Sequence, residues 1–187
     1  MGKGVQHEGG RICGIFVFRG FILSLYFPTK GPKQSVVQYR ESFTNFVDDL
    51  IKVVEKTILD RMVSWIACGA DLNAHFLGCG LPPRRSDDFA ARQVRRFMSK
   101  FGLVSLYIEM RRGRFTCLTS RGGASWLDTF LVSEGLYISG AVTVYKVLDF
   151  IEHGSDHSPV YLRLKVFPTW MKKPTLPKKT YSQEIWN

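Results

Sequence analysis

The sequence predicts an α/β fold in which strands outnumber helices. Short apolar runs bounded by Gly, Pro, Asn or Asp recur along the chain, and two segments of helical periodicity fall between them. Helices interleaved with strands imply sheet layers with the helices packed outside. Ile12 to Phe27 is apolar except at Arg19-Gly20, so it reads as two strands joined by a tight turn there. Pro28 to Lys33 is a Pro/Gly loop. From Gln38 to Lys56, the residues Phe43, Phe46, Val47, Leu50, Ile51 and Val54 recur at threes and fours, with Glu41, Asp48, Asp49, Lys52, Glu55 and Lys56 opposite. That pattern is an amphipathic helix packed on a sheet.

Met62 to Cys68 reads as a buried strand that delivers Asp71 and Asn73 at its end. Ala74 to Arg85 is a Gly/Pro-rich loop. Ser86 is the expected cap of a helix from Asp87 to Phe101, with Gly102 as its stop. Leu103 to Ile108 reads as a strand, Arg111 to Arg114 as a basic turn, and Phe115 to Thr119 as a short strand. Ser120 to Ala124 is a loop before a strand from Trp126 to Ser133. Ala141 to Leu148 alternates as a strand, and Val160 to Val166 closes the domain. One domain over residues 1–166 is therefore expected. Residues 167–187 form a basic tail with Pro168, Pro174 and Pro177 among Lys172, Lys173, Lys178 and Lys179, expected to be extended and poorly ordered.

A chain of 187 residues is long enough for one domain with a sizeable core. No apolar stretch approaches the ~18 residues of a membrane span, and the N-terminus has no secretory core. The net charge of +10 favours polyanionic partners, above all nucleic acid, with salt-dependent binding. A solvated basic face is the plainer account of the same charge. The cysteines, Cys13, Cys68, Cys79 and Cys117, form no CxxC pair and no zinc-type spacing with histidine. They read as reduced thiols of an intracellular protein, with Cys13 and Cys68 as small core residues.

Four segments carry chemistry. Gly154-Ser155-Asp156-His157-Ser158-Pro159 sets a carboxylate beside an imidazole in a Gly/Pro-bounded turn before an apolar strand. A histidine held by a carboxylate acts as a base or orients water in phosphate hydrolysis; alone, the segment reads more readily as a polar turn, and its order with the other motifs reverses that. In Asp71-Leu72-Asn73 the i, i+2 spacing turns both polar side chains to one side of a strand end. The acid suits a metal ion or the activation of water and the amide a phosphate oxygen, although an Asx turn ending a strand has the same pattern. Asp128, in Trp126-Leu127-Asp128, enters an apolar strand and needs a partner if buried. Its functional partner is His157, and its plainer reading is an exposed strand-start acid. Tyr26, before Phe27-Pro28, is placed to donate to a phosphate oxygen or to pack at the core rim. Arginines at Arg84-Arg85, Arg92/Arg95/Arg96, Arg111-Arg112-Arg114 and Arg121 cluster near these loops, as suits contacts to a nucleic-acid backbone. His75 and His153 read as loop residues.

In order, these segments resemble the endonuclease/exonuclease/phosphatase superfamily, and most closely the apurinic-type endonuclease domains of non-LTR retrotransposons. The resemblance runs from Ile12 to Leu164 and implies a two-sheet α/β sandwich of the deoxyribonuclease I-like kind. It implies Mg²⁺ or Mn²⁺ as cofactor, DNA as partner, no membrane association and a nuclear setting, and it leaves the oligomeric state open. Asp71 would position or deprotonate the attacking water, Tyr26 and Asn73 would stabilise the phosphate, and His157, oriented by Asp128, would contact it. Asp156 and Asp71 would be the metal-side carboxylates, and Arg84, Arg85, Arg111, Arg112 and Arg121 would contact DNA.

Two departures from the family pattern are visible. Ala70 stands where a glycine is usual, a small change. The family's opening strands, carrying an Asn and a metal-binding Glu, have no match in the eleven residues before Ile12, where Glu8 is the sole acid. The expectation is a domain truncated at its N-terminus, with a weakened metal site and open sheet edges. Three readings follow: a retrotransposon-derived endonuclease, inactive if the lost Glu is essential; a phosphatase of the same superfamily; or a nucleic-acid-binding remnant without catalysis.

Overall fold

The computed structural model describes residues 5–6, 11–77, 85–110, 115–118, 123–148 and 155–166. Within them lie β1 (Val5–Gln6), β2 (Ile12–Val17), β3 (Gly20–Tyr26), α1 (Val36–Arg61), β4 (Trp65–Asp71), α2 (Phe89–Phe101), β5 (Leu103–Ser105), α3 (Leu106–Met110), β6 (Cys117–Leu118), β7 (Ala124–Ser125), β8 (Asp128–Ser133), α4 (Glu134–Ile138), β9 (Val142–Val147) and β10 (Val160–Leu164). Six strands form one mixed sheet in the order β1-β2-β3-β4-β8-β5, while β9 pairs with β10 and β6 with β7. The β3–β4 pair is parallel and α1 is its crossover, as a parallel pair requires.

Alternation along β3 and β4 gives the sheet two different faces. Phe21, Leu23, Leu25, Ile66, Cys68 and Ala70 pack against Phe43, Val47, Leu50 and Val54 of α1 and Val94 and Phe97 of α2. The opposite face, through Ala67 and Val132, meets Leu106, Leu136 and Tyr145 with Val142, Val160, Leu162 and Leu164 of the β9–β10 pair around them. The order is helices, six-stranded sheet, then a thin second layer of strands. This is the α/β sandwich expected, with the second layer in two-stranded pieces among the described residues.

Local signals set the element ends. Ser35 caps α1 through a reciprocal capping box with Gln38, worth about 1 kcal/mol, so the helix starts earlier and runs longer than its clearest periodicity. Asp88, not Ser86, caps α2 by accepting from the Ala91 N–H at 2.7 Å. Asp87 instead accepts from the Leu77 N–H and pairs with Arg95. Gly102 ends α2 in the left-handed region at φ 57°, as its sequence position implies. Strand β4 begins at Trp65, because Met62 is still the left-handed C-cap of α1. The run Leu103–Ile108 is strand only to Ser105 and then turns into α3, where Leu106 is buried between layers. Helix α4, one short turn after β8, has no clear periodic signal. Cys13 is exposed on β2, not in the core, whereas Cys68 is buried. Cys79, His153, Glu8 and the tail lie outside the described residues.

Packing demands glycine most sharply at Gly20. A Cβ on Gly20 would fall 1.9 Å from the Trp65 ring, which covers the start of β3. Gly20→Ala should therefore displace Trp65 and lower stability by about 1–3 kcal/mol. Gly31→Ala, whose Cβ would first meet Gln34 at 3.8 Å, should be near neutral. Urea unfolding of both variants checks the contrast.

Candidate active site

Strand register assembles the centre of the site. Tyr26 of β3 lies opposite Asp71 of β4, and Asp71 lies opposite Asp128 of β8. Residues paired across strands share a face of the sheet, so three polar side chains stand in one row where three strands end. The face is the one turned toward the second layer. Main-chain bonds hold the row: Tyr26 N–H donates to Arg11 O, Phe27 N–H to Asp71 O, and Leu72 N–H to Leu127 O, at 2.8–2.9 Å. Phe27 points the other way and is fully buried against Phe43 and Phe46. The alternation that buries Phe27 is what exposes Tyr26, whose ring lies beneath the Arg11 guanidinium.

His157 arrives from the Ser155–Pro159 turn and places Nδ1 2.7 Å from Asp128 Oδ2. Asp128 is thus half-buried with a partner and is not an exposed strand-start acid. Asp71, Asp128 and His157 each offer a ligand atom within 4.8 Å of the others. They line a cleft of about 460 Å³ with Tyr26, Gly69, Phe130 and Ser158.

The electrostatics follow from crowding. Burial, and then the facing Asp128 carboxylate, push Asp71 up to about 6. Burial also raises Asp128, against the pull of its bond to His157. At His157 burial disfavours the charge. The bond to Asp128 and the charges of Asp128, Asp71 and Asp156 outweigh it, and the imidazole sits above the ordinary histidine range.

Asn73 has a backbone φ of 45°, and its N–H donates to Asp71 Oδ1 at 3.2 Å. That is the Asx turn, and it coexists with Asp71's place in the cluster. The Asn73 amide donates to Phe27 O at 2.8 Å, and Asn73 is not among the residues lining the cleft. Asp156 is exposed, and its close neighbours are Cys117 and His157 rather than Asp71. Arg85 is exposed; Arg84, Arg111, Arg112 and Arg121 lie outside the described residues. Arg95 and Arg96 of α2 pair with Asp87 and Asp48, and Arg92 donates to Asp87 O. His75 is tied through its backbone to the cap residue Asp88.

Thr116 is the positioning residue that motif reading misses. It is fully buried, and its Oγ1 accepts from the N–H groups of both Leu127 and Asp128 at 2.9 Å. Its carbonyl accepts from Ser158 N–H at 2.7 Å. Leu118 N–H donates to Asp156 O, and Cys117 and His157 form a β-bridge. The segment at β6 therefore clamps the turn bearing His157 to the strand bearing Asp128. A threonine in a short apolar strand carries no sequence signal for this role.

No protein-family model and no curated protein matches the chain by sequence. Solved structures match by fold. The 3'-5' exonuclease NExo from Neisseria meningitidis superposes with a TM-score of 0.64 at 18% identity over 84% of this chain and 66% of its own. The endonuclease domain of TRAS1, a telomere-specific non-LTR retrotransposon, gives 0.55 at 17% over 88% and 69%. A variant of the 3' phosphatase NExo from Neisseria, bound to a product DNA hairpin, gives 0.63 at 15% over 86% and 66%. The chain thus spans about two thirds of the length of these structures. At 15–18% identity the likeness is one of fold: the chain shares the α/β sandwich architecture of these structures, the architecture expected from the four segments.

Thr116→Val should strand two backbone donors and cost about 2–4 kcal/mol, whereas Thr116→Ser keeps the acceptor and should cost much less; thermal unfolding measures both. A second expectation concerns pH in the presence of chelator. Because the folded-state pKa of Asp71 is raised to about 6, its ionisation opposes folding and stability falls as pH rises from ~4 to ~6. Asp71→Asn keeps the Asx acceptor and should be more stable than wild type at pH 7 by about 1–2 kcal/mol after solvent screening, but not at pH 4. The raised pKa of His157 adds stability below ~6.5 that is lost as pH rises through its folded value; His157→Gln should flatten that upper limb.

Proposed function

We propose that this chain hydrolyses phosphodiester bonds in DNA with the aid of a divalent metal ion, as an endonuclease of the retrotransposon type. The observation that carries the reading is one cleft holding the Asp128–His157 hydrogen bond beside Asp71 and Tyr26 at adjoining strand ends. The likeness to the TRAS1 endonuclease domain and the net charge of +10 support the DNA-directed branch.

The donor chemistry fits a hard cation. Two half-buried carboxylates face each other across β4 and β8, and their burial, with the repulsion between them, appears in the elevated Asp71. Carboxylate oxygens suit Mg²⁺ or Mn²⁺, and Asp71 and Asp128 are the residues that would hold such an ion. When bound, it supplies charge neutralisation at the scissile phosphate. The protein groups divide the remaining work. Asp71, beside that ion and in the same cluster as His157, is the carboxylate placed to orient the attacking water and accept its proton. Asp128 fixes the tautomer and orientation of His157, so that the ring nitrogen away from Asp128 is turned to a phosphate oxygen. Tyr26 donates its O–H to a second oxygen. Asn73 holds Phe27, and with it the end of β3, in place. Asp156 stands at the edge as a further carboxylate. Arg84, Arg85, Arg111, Arg112 and Arg121 are the backbone contacts we infer for DNA.

A second reading, removal of a terminal 3' phosphate from DNA, is favoured by the likeness to the phosphatase bound to a DNA hairpin. The same groups would serve it. Nicking of supercoiled plasmid, set against phosphate release from a 3'-phosphorylated oligonucleotide, separates the two. With Mg²⁺ or Mn²⁺, wild type is expected to nick. Asp71→Ala and His157→Ala should lower the rate by about 10²–10⁴-fold, and Tyr26→Phe by about tenfold. Chelation of the ion should abolish cleavage. Folded wild type that binds DNA in a salt-dependent manner yet cleaves neither substrate would reduce the role to binding.

A further inference from the structure

His157 belongs to two donor sets, and only one of them is made of oxygen and nitrogen alone. The Cys117 thiol, an Asp156 carboxylate oxygen and a His157 ring nitrogen all lie within 4.8 Å of one another. They come from two segments far apart in sequence that the fold locks together. Cys117 and His157 are β-bridge partners, and Leu118 N–H donates to Asp156 O at 2.9 Å. Backbone pairing therefore sets the donors near each other before any ion arrives. Asp156 is exposed and His157 half-buried, so the group opens to solvent, while Cys117 is 5% exposed.

We propose that Cys117, Asp156 and His157 form a site for Zn²⁺, distinct in its ligands from the Asp71–Asp128 pair. One thiolate, one imidazole and one carboxylate suit a borderline-soft, tetrahedral ion and suit Mg²⁺ poorly. Zinc–ligand bonds of about 2.0–2.3 Å place neighbouring donors about 3.5 Å apart. Donors within 4.8 Å of one another need close by about 1.3 Å at most to reach that spacing. Binding releases the thiol proton to solvent as the Zn–S bond forms. A fourth position stays open for water or a phosphate oxygen. Asp128, bonded to Nδ1 of His157, is the carboxylate that zinc-bound histidines commonly have behind them. Because the imidazole is shared, zinc here withdraws His157 from phosphate and inhibits cleavage. That last consequence rests on the hydrolytic reading above; the site itself does not.

The test is metal binding by the whole chain with Cys13 and Cys79 replaced by Ser, so that neither of those thiols contributes. Co²⁺ as a zinc probe should give the near-ultraviolet thiolate-to-metal charge-transfer band, lost in Cys117→Ser. Zinc affinity, read by competition with a chromogenic chelator, should fall about tenfold or more in Cys117→Ser and Asp156→Asn and change little in Asp71→Asn. If Cys117→Ser fails to fold, Asp156→Asn, altered at an exposed position, decides the matter. A band that survives Cys117→Ser, or zinc affinity that depends on Asp71 as strongly as on Asp156, would overturn the site. In a nicking assay with Mg²⁺, micromolar zinc should inhibit wild type and spare Cys117→Ser. Zinc binding with no cleavage by wild type would retain the site and refute the hydrolytic reading instead.

Discussion

Everything in the candidate site follows from one register: Asp71 directly opposite Asp128 on antiparallel strands. Side-by-side carboxylates on one face repel, and partial burial withholds the water that would screen them. The fold meets this repulsion with a single hydrogen-bonded imidazole, His157, on one of the two acids. The other acid is left with a proton affinity close to neutrality. That arrangement costs stability at neutral pH, and its place in a cleft is what makes it the candidate centre. Shifting β8 by one residue would turn Asp128 to the helix-facing side and dissolve the cluster.

Holding that register against repulsion falls to parts with no chemistry of their own. Phe27 anchors the end of β3 in the aromatic cluster with Phe43 and Phe46. Asn73 ties Phe27 to the turn after β4, and Thr116 ties the start of β8 to the histidine turn. Four separate segments converge on a patch a few ångströms wide through these bonds. Rigid strand ends hold the acids more sharply than loops would.

Charge is distributed with the same logic. The chain as a whole is strongly positive, yet its cleft is acidic. Under the proposed function, the net positive charge would draw in a polyanion and the acidic cleft the cation that lets it approach. The α2 arginines are paired with Asp87 and Asp48 and steady the helices; exposed Arg85 lies outside that network. His157 is common to an oxygen-rich and a sulfur-containing donor set, so the two metal sites proposed above would compete for the same imidazole.

By itself the sequence determined the class, and it named Tyr26, Asp71, Asp128 and His157 as candidates through the order of their motifs. The alternation in β3 and β4 and the periodicity of α1 and α2 are local consequences of which faces must be buried, and local patterns are readable. Each of the four candidate residues reads locally as a plain turn, rim or strand-end residue as well, and only their order along the chain singled them out. Tertiary structure decided what depends on residues distant in the chain. It made Leu106 helical by burying it between layers, moved the α2 cap to Asp88 through the bond to His75, and put Cys13 outside and Cys117 inside. It gave Thr116 its two donors, separated Asp156 from Asp71, and joined Cys117 to His157. None of these has a local signature, because each is a contact between segments that only the packing of the sheet brings together.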